Sequence, residues 1–163
     1  MRPPLRAAPY FTRRRIFAAT GLAALSVCHG GPVLGETPPE NDNPIRQPVD
    51  PGEEAFISRA FEMRQTAIEF GDQAYGAVIV RDSVIIGQSW SRVVLDNDPT
   101  AHAEMEAIRD TARRLNSRDL SGSVMYSTSR PCPMCEAAAF WAGVGQMVYG
   151  RDMRTGGSPK LCS

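Results

Sequence analysis

Two stretches decide the reading, Asp98-Pro99-Thr100-Ala101-His102-Ala103-Glu104 and Pro131-Cys132-Pro133-Met134-Cys135. Each stands where helical spacing begins. Thr100 predicts an N-cap for a helix from Ala101 to about Leu115, and residues from Cys132 to Ala142 predict a second, shorter helix. His102, Cys132 and Cys135 are metal-binding residue types. Three such ligands leave one tetrahedral position open, which separates a catalytic zinc from a closed structural one. Helix N-termini and a metal both favour thiolate over thiol, so both cysteines are expected to bind as anions. A water in the open position would become acidic enough to act at neutral pH. Glu104, two residues from His102, is near enough to move that water's proton without being a ligand. His102 is also the one histidine after residue 35, so no rival of its type exists there. Taken alone, these residues still allow a thiol–disulfide redox pair, since Cys-x-x-Cys serves that chemistry too, or a structural zinc.

Outward from these stretches, residues 53–70 set Phe56, Ile57, Ala60, Phe61, Met63, Ala67, Ile68 and Phe70 at mostly helical spacing, and Gly71-Asp72 ends that helix. Tyr75 to Val80 and Val84 to Trp90 are β-rich runs joined by Asp82-Ser83, which predicts a hairpin. A loop over 91–99 follows. Ser123 to Ser127 and Gln146 to Tyr149 are the third and fourth strands. Strands alternating with helices argue for an α/β sandwich around one sheet. No internal repeat is present.

The 163 residues suit one domain plus a short segment. Zero formal net charge hides an uneven distribution. Arg2, Arg6, Arg13, Arg14 and Arg15 precede Glu36, and no acidic residue does; residues 36–163 hold 13 basic against 18 acidic side chains, a net of −5. An acidic body is a poor start for a nucleic-acid binder, whose phosphate contacts need clustered Lys and Arg. The basic N-terminus, followed by an apolar run from Ala18 to Val27, reads as an export signal over residues 1–35 and is too short for a stable membrane span. Arg14-Arg15-Ile16-Phe17 is similar to the twin-arginine pattern, which predicts a periplasmic or secreted location, with an uncleaved segment and cytoplasmic residence as the alternative. Cleavage after Gly35 is the first choice, and Cys28 as a lipid acceptor ranks lower because bulky Val27 precedes it. Residues 36–51, rich in Pro, Asn, Asp and Glu, read as a flexible linker, and 52–163 as the folded domain.

The ordered set Gly76-Ala77-Val78-Ile79-Val80, Asp98 to Glu104 and Pro131 to Cys135 resembles the zinc-dependent cytidine/nucleobase deaminase superfamily, whose pattern is His-x-Glu followed by Pro-Cys-x-x-Cys. The branch holding guanine deaminases and tRNA adenosine deaminases looks nearest, and the resemblance covers roughly residues 53–155. It implies a three-layer α/β/α sandwich with a mixed sheet of about five strands. It implies zinc held by His102, Cys132 and Cys135, with Glu104 as the proton carrier. Substrate contacts would fall to Tyr75, Ser91, Ala103 and Arg130. It also implies a homodimer in which one subunit borders the other's pocket.

Two positions depart from that pattern. Ser91 stands where the family usually has an Asn that binds the base, and a hydroxyl reaches less far than an amide. Asn97 or a backbone amide is the alternative reader. Arg130 replaces a common Glu, which favours an anionic or more polar substrate unless it is a solvated surface arginine. Tyr75 matches an aromatic that stacks on the base, and stacking names no particular base. Phe140 and Trp141 echo an aromatic pair of guanine deaminases, but their spacing is also that of core packing, which is the preferred reading. Relatives continue past the fourth strand with helices that close the pocket or touch RNA, so a more open pocket, or one closed by a neighbouring subunit, is expected here; Cys162 has no assigned partner.

The expected activity is hydrolytic deamination of a free nucleobase, nucleoside or related amino-heterocycle. The partner is then a small molecule, with RNA disfavoured by the acidic body. The alternatives are a tRNA adenosine deaminase and a non-catalytic zinc or redox module.

Overall fold

The computed structural model describes residues 44–161. The expected export segment, Cys28, residues 36–43 of the expected linker and Cys162 lie outside the described residues. Eight elements follow in order: α1 (Glu53–Glu69), β1 (Gly76–Arg81), β2 (Val84–Trp90), α2 (Ala103–Leu115), β3 (Val124–Ser127), α3 (Pro133–Trp141), β4 (Gln146–Tyr149) and β5 (Arg154–Gly157). The strands form one sheet in the order β2-β1-β3-β4-β5. Only the β3–β4 pair is parallel, so the sheet is mixed, as the resemblance implies.

Alternation along β1 builds the layers, because neighbouring side chains on a strand point to opposite faces. Val78 and Val80 face α1, where Phe56, Ile57, Ala60, Met63 and Ala67 recur every three or four residues. Ala77 and Ile79 face α2 and α3, through Ala103, Ala107, Ala139 and Ala142. The result is an α/β/α sandwich. Ile79 lies opposite Met125 on β3, and both are fully buried; each such side chain contributes about 1.5–3 kcal/mol relative to exposure. Gly76 sets the closeness of α1 to β1. A Cβ there would lie 2.2 Å from the Ala60 carbonyl oxygen and 2.4 Å from the Arg64 nitrogen, both backbone atoms.

Asp82 and Ser83 both have left-handed φ, 52° and 61°, which is the geometry that joins tightly paired strands. The β5 strand has no counterpart in the sequence reading. Arg-Thr-Gly-Gly carries no apolar alternation, and its pairing with β4 comes from a turn in which Met153 and Gly150 adopt positive φ. The described part of the expected linker is attached to the domain. Ile45 packs against the core on the α1 side. The Gln47 amide donates to the Ile85 carbonyl at 2.7 Å and accepts the Ile85 N–H at 2.9 Å. β2 is an edge strand with unpaired backbone groups, and one amide bearing a donor and an acceptor caps them.

The register positions the site. β2 and β3 both run antiparallel to β1, with Gly76 opposite Trp90 and Ala77 opposite Ser127. The start of β1 and the ends of β2 and β3 therefore share one end of the sheet. The loops leaving that end lead into α2 and α3, so both helices begin beside Tyr75.

Candidate metal centre

α2 begins at Ala103, with His102 rather than Thr100 in the N-cap position. Thr100 is engaged elsewhere: its N–H and hydroxyl both donate to the Asp98 carboxylate, at 2.7 and 2.8 Å. These bonds tighten the turn before the helix, and the His102 side chain makes no capping bond, so it is free to face α3. On α3, Cys132 is the N-cap and Pro133 opens the first turn, where a missing N–H costs nothing. Cys135 falls three residues on, one turn inward, and is fully buried.

These two helix starts bring three ligand atoms together. His102 Nδ1 lies 3.7 Å from Cys132 Sγ and 3.7 Å from Cys135 Sγ, and the two sulfurs are 3.6 Å apart. Bonds of roughly 2.3 Å to sulfur and 2.0–2.1 Å to nitrogen give tetrahedral edges of roughly 3.6–3.8 Å, so the spacing fits zinc. This is the one such cluster among the described residues. Glu104 Oε2 lies 3.7 Å from Cys135 Sγ. Burial pushes the Glu104 carboxyl up, against weaker opposing pulls from its own N–H, His102 and Cys135. Burial, then the charges of Glu104 and Cys132, push the Cys135 thiol up strongly. Burial disfavours both anions, and a bound cation would offset that cost.

A cavity of about 190 Å3 opens on the cluster, lined by Gln73, Tyr75, His102, Glu104, Ser129, Arg130 and Cys132. Tyr75 and Arg130 thus stand at the cavity with the ligands. Ser91 and Ala103 do not line it; both are fully buried. The Ser91 hydroxyl lies beside Asp72, whose carboxyl it helps to hold down, without a hydrogen bond of good geometry. Ala103 packs in the core between β1, α2 and α3. Gln73 and Ser129 went unforeseen. Their positions follow from strand register at the sheet end, which no local pattern reveals. Phe140 is 43% exposed and Trp141 74%, so the core reading of this pair fails: they meet edge to face on the outside of α3.

Residues 51–151 match the cytidine and deoxycytidylate deaminase zinc-binding region. The chain belongs to that family. It is 37% identical over 100 residues to the guanine deaminase of Bacillus subtilis, covering 61% of this chain and 64% of that enzyme. It is also 37% identical over 107 residues to the tRNA-specific adenosine deaminase of Aquifex aeolicus, covering 65% and 71%. The X-ray structure of the Bacillus subtilis guanine deaminase superposes with a TM-score of 0.59 at 37% identity, over 61% of this chain and 64% of that one. The chain thus spans about two thirds of the length of these relatives. Among the described residues no helix is long and apolar enough to cross a membrane.

Proposed function

We propose that this domain is a hydrolytic zinc-dependent deaminase acting on a free nucleobase, nucleoside or related amino-heterocycle and releasing ammonia. The observation that carries the proposal is the zinc-compatible spacing of His102, Cys132 and Cys135 beside a cavity that His102, Cys132 and Glu104 line. When bound, zinc supplies the Lewis acidity that makes a water nucleophilic at neutral pH. Glu104 accepts a proton from that water as its oxygen bonds to the amine-bearing ring carbon. The same carboxyl then delivers the proton to the departing nitrogen as the C–N bond breaks. Burial, which pushes the Glu104 carboxyl up, also keeps it beside the ligands. Tyr75, at the cavity wall and 44% exposed, offers a ring for the heterocycle to stack on.

The tRNA adenosine deaminases among the relatives favour a second reading, an enzyme acting on RNA. The net charge of −5 over residues 36–163 weighs against it. A non-catalytic zinc or redox module is the third. We further propose export by way of residues 1–35 and assembly as a homodimer; cell fractionation and sedimentation test these two. The activity itself is tested by assaying zinc-loaded protein for ammonia release from aminopurines, aminopyrimidines and pteridines, beside an anticodon hairpin RNA. Release from a small heterocycle is expected. Stoichiometric zinc with no ammonia from any of them refutes the proposal, and release from the RNA alone selects the second reading.

A further inference from the structure

The cavity over the metal cluster continues into a larger one of about 560 Å3, and the two form one cleft. Gln73, Tyr75 and Ser129 line both parts, so they stand where the two join. The inner part, about 190 Å3, is small beside ordinary ligand pockets of roughly 300–1,000 Å3. A heterocycle that enters it therefore lies against whatever lines it.

Most of that lining has other work. His102 and Cys132 are metal-binding residues, Glu104 carries the proton, and Tyr75 offers a ring face. Gln73, Ser129 and Arg130 are left to meet the heterocycle's edge. Such an edge sets hydrogen-bond donors and acceptors side by side in one plane. Arg130 can only donate, and Ser129 brings a single hydroxyl. Of the three, Gln73 alone carries a donor and an acceptor side by side, so its carboxamide can pair with both kinds of edge group at once.

Gln73 is also the glutamine with capacity to spare. Gln47, Gln65, Gln88 and Gln146 each have their side-chain amide in a hydrogen bond. The Gln73 amide makes none among the described residues. Its backbone, by contrast, is clamped. The Gln73 N–H donates to the Asp72 carboxylate at 2.7 Å, and the Gln73 carbonyl accepts the Tyr75 N–H at 2.7 Å. The second of these bonds closes a three-residue turn. Arg64 Nε donates to the carbonyl of Ala74, the middle residue, at 3.1 Å, and the Ser91 N–H donates to the Tyr75 carbonyl at 3.1 Å. One fixed turn thus carries both the ring of Tyr75 and the open amide. A recognition group on a fixed backbone gives up only side-chain freedom when it binds. Ser91 and Asn97, the positions expected to read the base, line neither part of the cleft.

We propose that Gln73 is the specificity-determining residue of this site, its carboxamide pairing with the donor–acceptor edge of a heterocycle stacked on Tyr75. The inference rests on the deaminase reading.

Steady-state ammonia release from cytosine, guanine, adenine and an aminopteridine, by the zinc-loaded native protein and its Gln73 variants, tests it. Gln73→Leu keeps the size of the side chain and loses both hydrogen-bonding groups. For the ring turned over best, it should raise KM about tenfold, the worth of one or two hydrogen bonds, and shrink the preference over the next ring by a similar factor. Its kcat should stay within about twofold of the native value, since the lost contact holds ring and transition state alike. Gln73→Asn should keep part of the preference, and Gln73→Glu, which has the same shape without the N–H donors, should reorder it. Melting temperature and zinc content should be unchanged in all three, because the side chain is exposed. Titrating the same rings into zinc-loaded Glu104→Gln protein by calorimetry gives a readout without turnover: adding Gln73→Leu should weaken the best-bound ring by about tenfold. Unchanged KM and ring preference in Gln73→Leu, or a fall in kcat alone, overturns the role of Gln73 while ammonia release upholds the deaminase reading. Binding that Gln73→Leu weakens, with no ammonia from any ring, overturns the deaminase reading and leaves Gln73 as the reader. No binding by any of the rings overturns both.

Discussion

The two ends of the cleft are built differently. At the metal end every group is fixed by a helix start: His102 and Cys132 are N-caps, Cys135 and Glu104 lie in first turns, and the latter two are buried. At the rim, Tyr75, Gln73 and Arg130 are exposed and hang on loops. Chemistry that moves a proton over a few ångströms needs groups that do not move, and packed helices supply them. Recognition tolerates adjustable side chains. The metal end accordingly carries the features shared with the family, and the rim carries Arg130, where this chain departs from the pattern that its resemblance implies.

Replacement at the fixed end should be the more damaging. Glu104→Gln removes the proton carrier while leaving three ligand atoms in place, so kcat is expected to fall by about 10²–10⁴-fold with the zinc content unchanged. Metal analysis beside steady-state kinetics checks this. Loss of zinc in that variant would mean that Glu104 is a ligand, and the contrast between holding and reacting groups would fail. Cys135→Ala should do the opposite. It should lose the metal, as should treatment of the native protein with a chelator, and in both cases the melting temperature should drop because bound metal stabilises the folded form.

Between the two ends stands Gly76, which holds α1 against β1 directly behind Tyr75. Gly76→Ala places a methyl against the Ala60 and Arg64 backbone, and overpacking of this kind costs about 1–3 kcal/mol. In a domain of this size the melting temperature should fall by several degrees, with zinc affinity little altered, since the ligands stand on the opposite face. A variant that lost zinc first would show that the two layers are coupled more tightly than the packing implies.

The metal end was legible in the sequence for a physical reason. A ligand and the proton carrier at i, i+2, and two ligands at i, i+3, around helix starts are local patterns, and the hydrophobic spacing of α1 and the strands is local too. What eluded the reading depends on contacts distant in the chain. Gln73 and Ser129 reach the cavity through the registers of Gly76 with Trp90 and Ala77 with Ser127. Gln47 looks like linker until Ile85 stands opposite it. Thr100 has the right chemistry for an N-cap, yet Asp98 claims its hydroxyl and the helix starts later. Ser91 lies in the right loop, but its side chain is enclosed beside Asp72 and does not line the cavity.

A change at the rim should therefore be read in binding and not in chemistry. Tyr75→Ala removes the ring at the cavity wall, and loss of aromatic stacking on a base costs about 1–3 kcal/mol. KM is expected to rise roughly tenfold with kcat nearly constant. An equal fall in kcat would place Tyr75 with the fixed end.

The smallest effect should come from Asp72, which ties the turn carrying Gln73 to the loop over 91–99. Partial burial acts to raise its carboxyl, but the N–H groups of Leu95, Gln73 and Val94 and the Ser91 hydroxyl outweigh it and hold the group below the usual carboxylate range. A carboxyl depressed on folding stabilises the folded state above its unfolded pKa, and that contribution disappears as the pH falls through the folded value. Asp72→Asn keeps one acceptor oxygen and loses the charge, so the cost near neutrality should be about 1 kcal/mol after solvent screening. Thermal melts of both proteins should differ by a few degrees at pH 7 and converge as the pH drops below about 4. A gap that stayed constant with pH would assign the loss to packing instead of charge. If the gap narrows as expected while kcat on a small substrate holds, the rim can loosen without disturbing the buried end, because the helix starts, and not the rim loops, set the distance from Glu104 to the metal ligands.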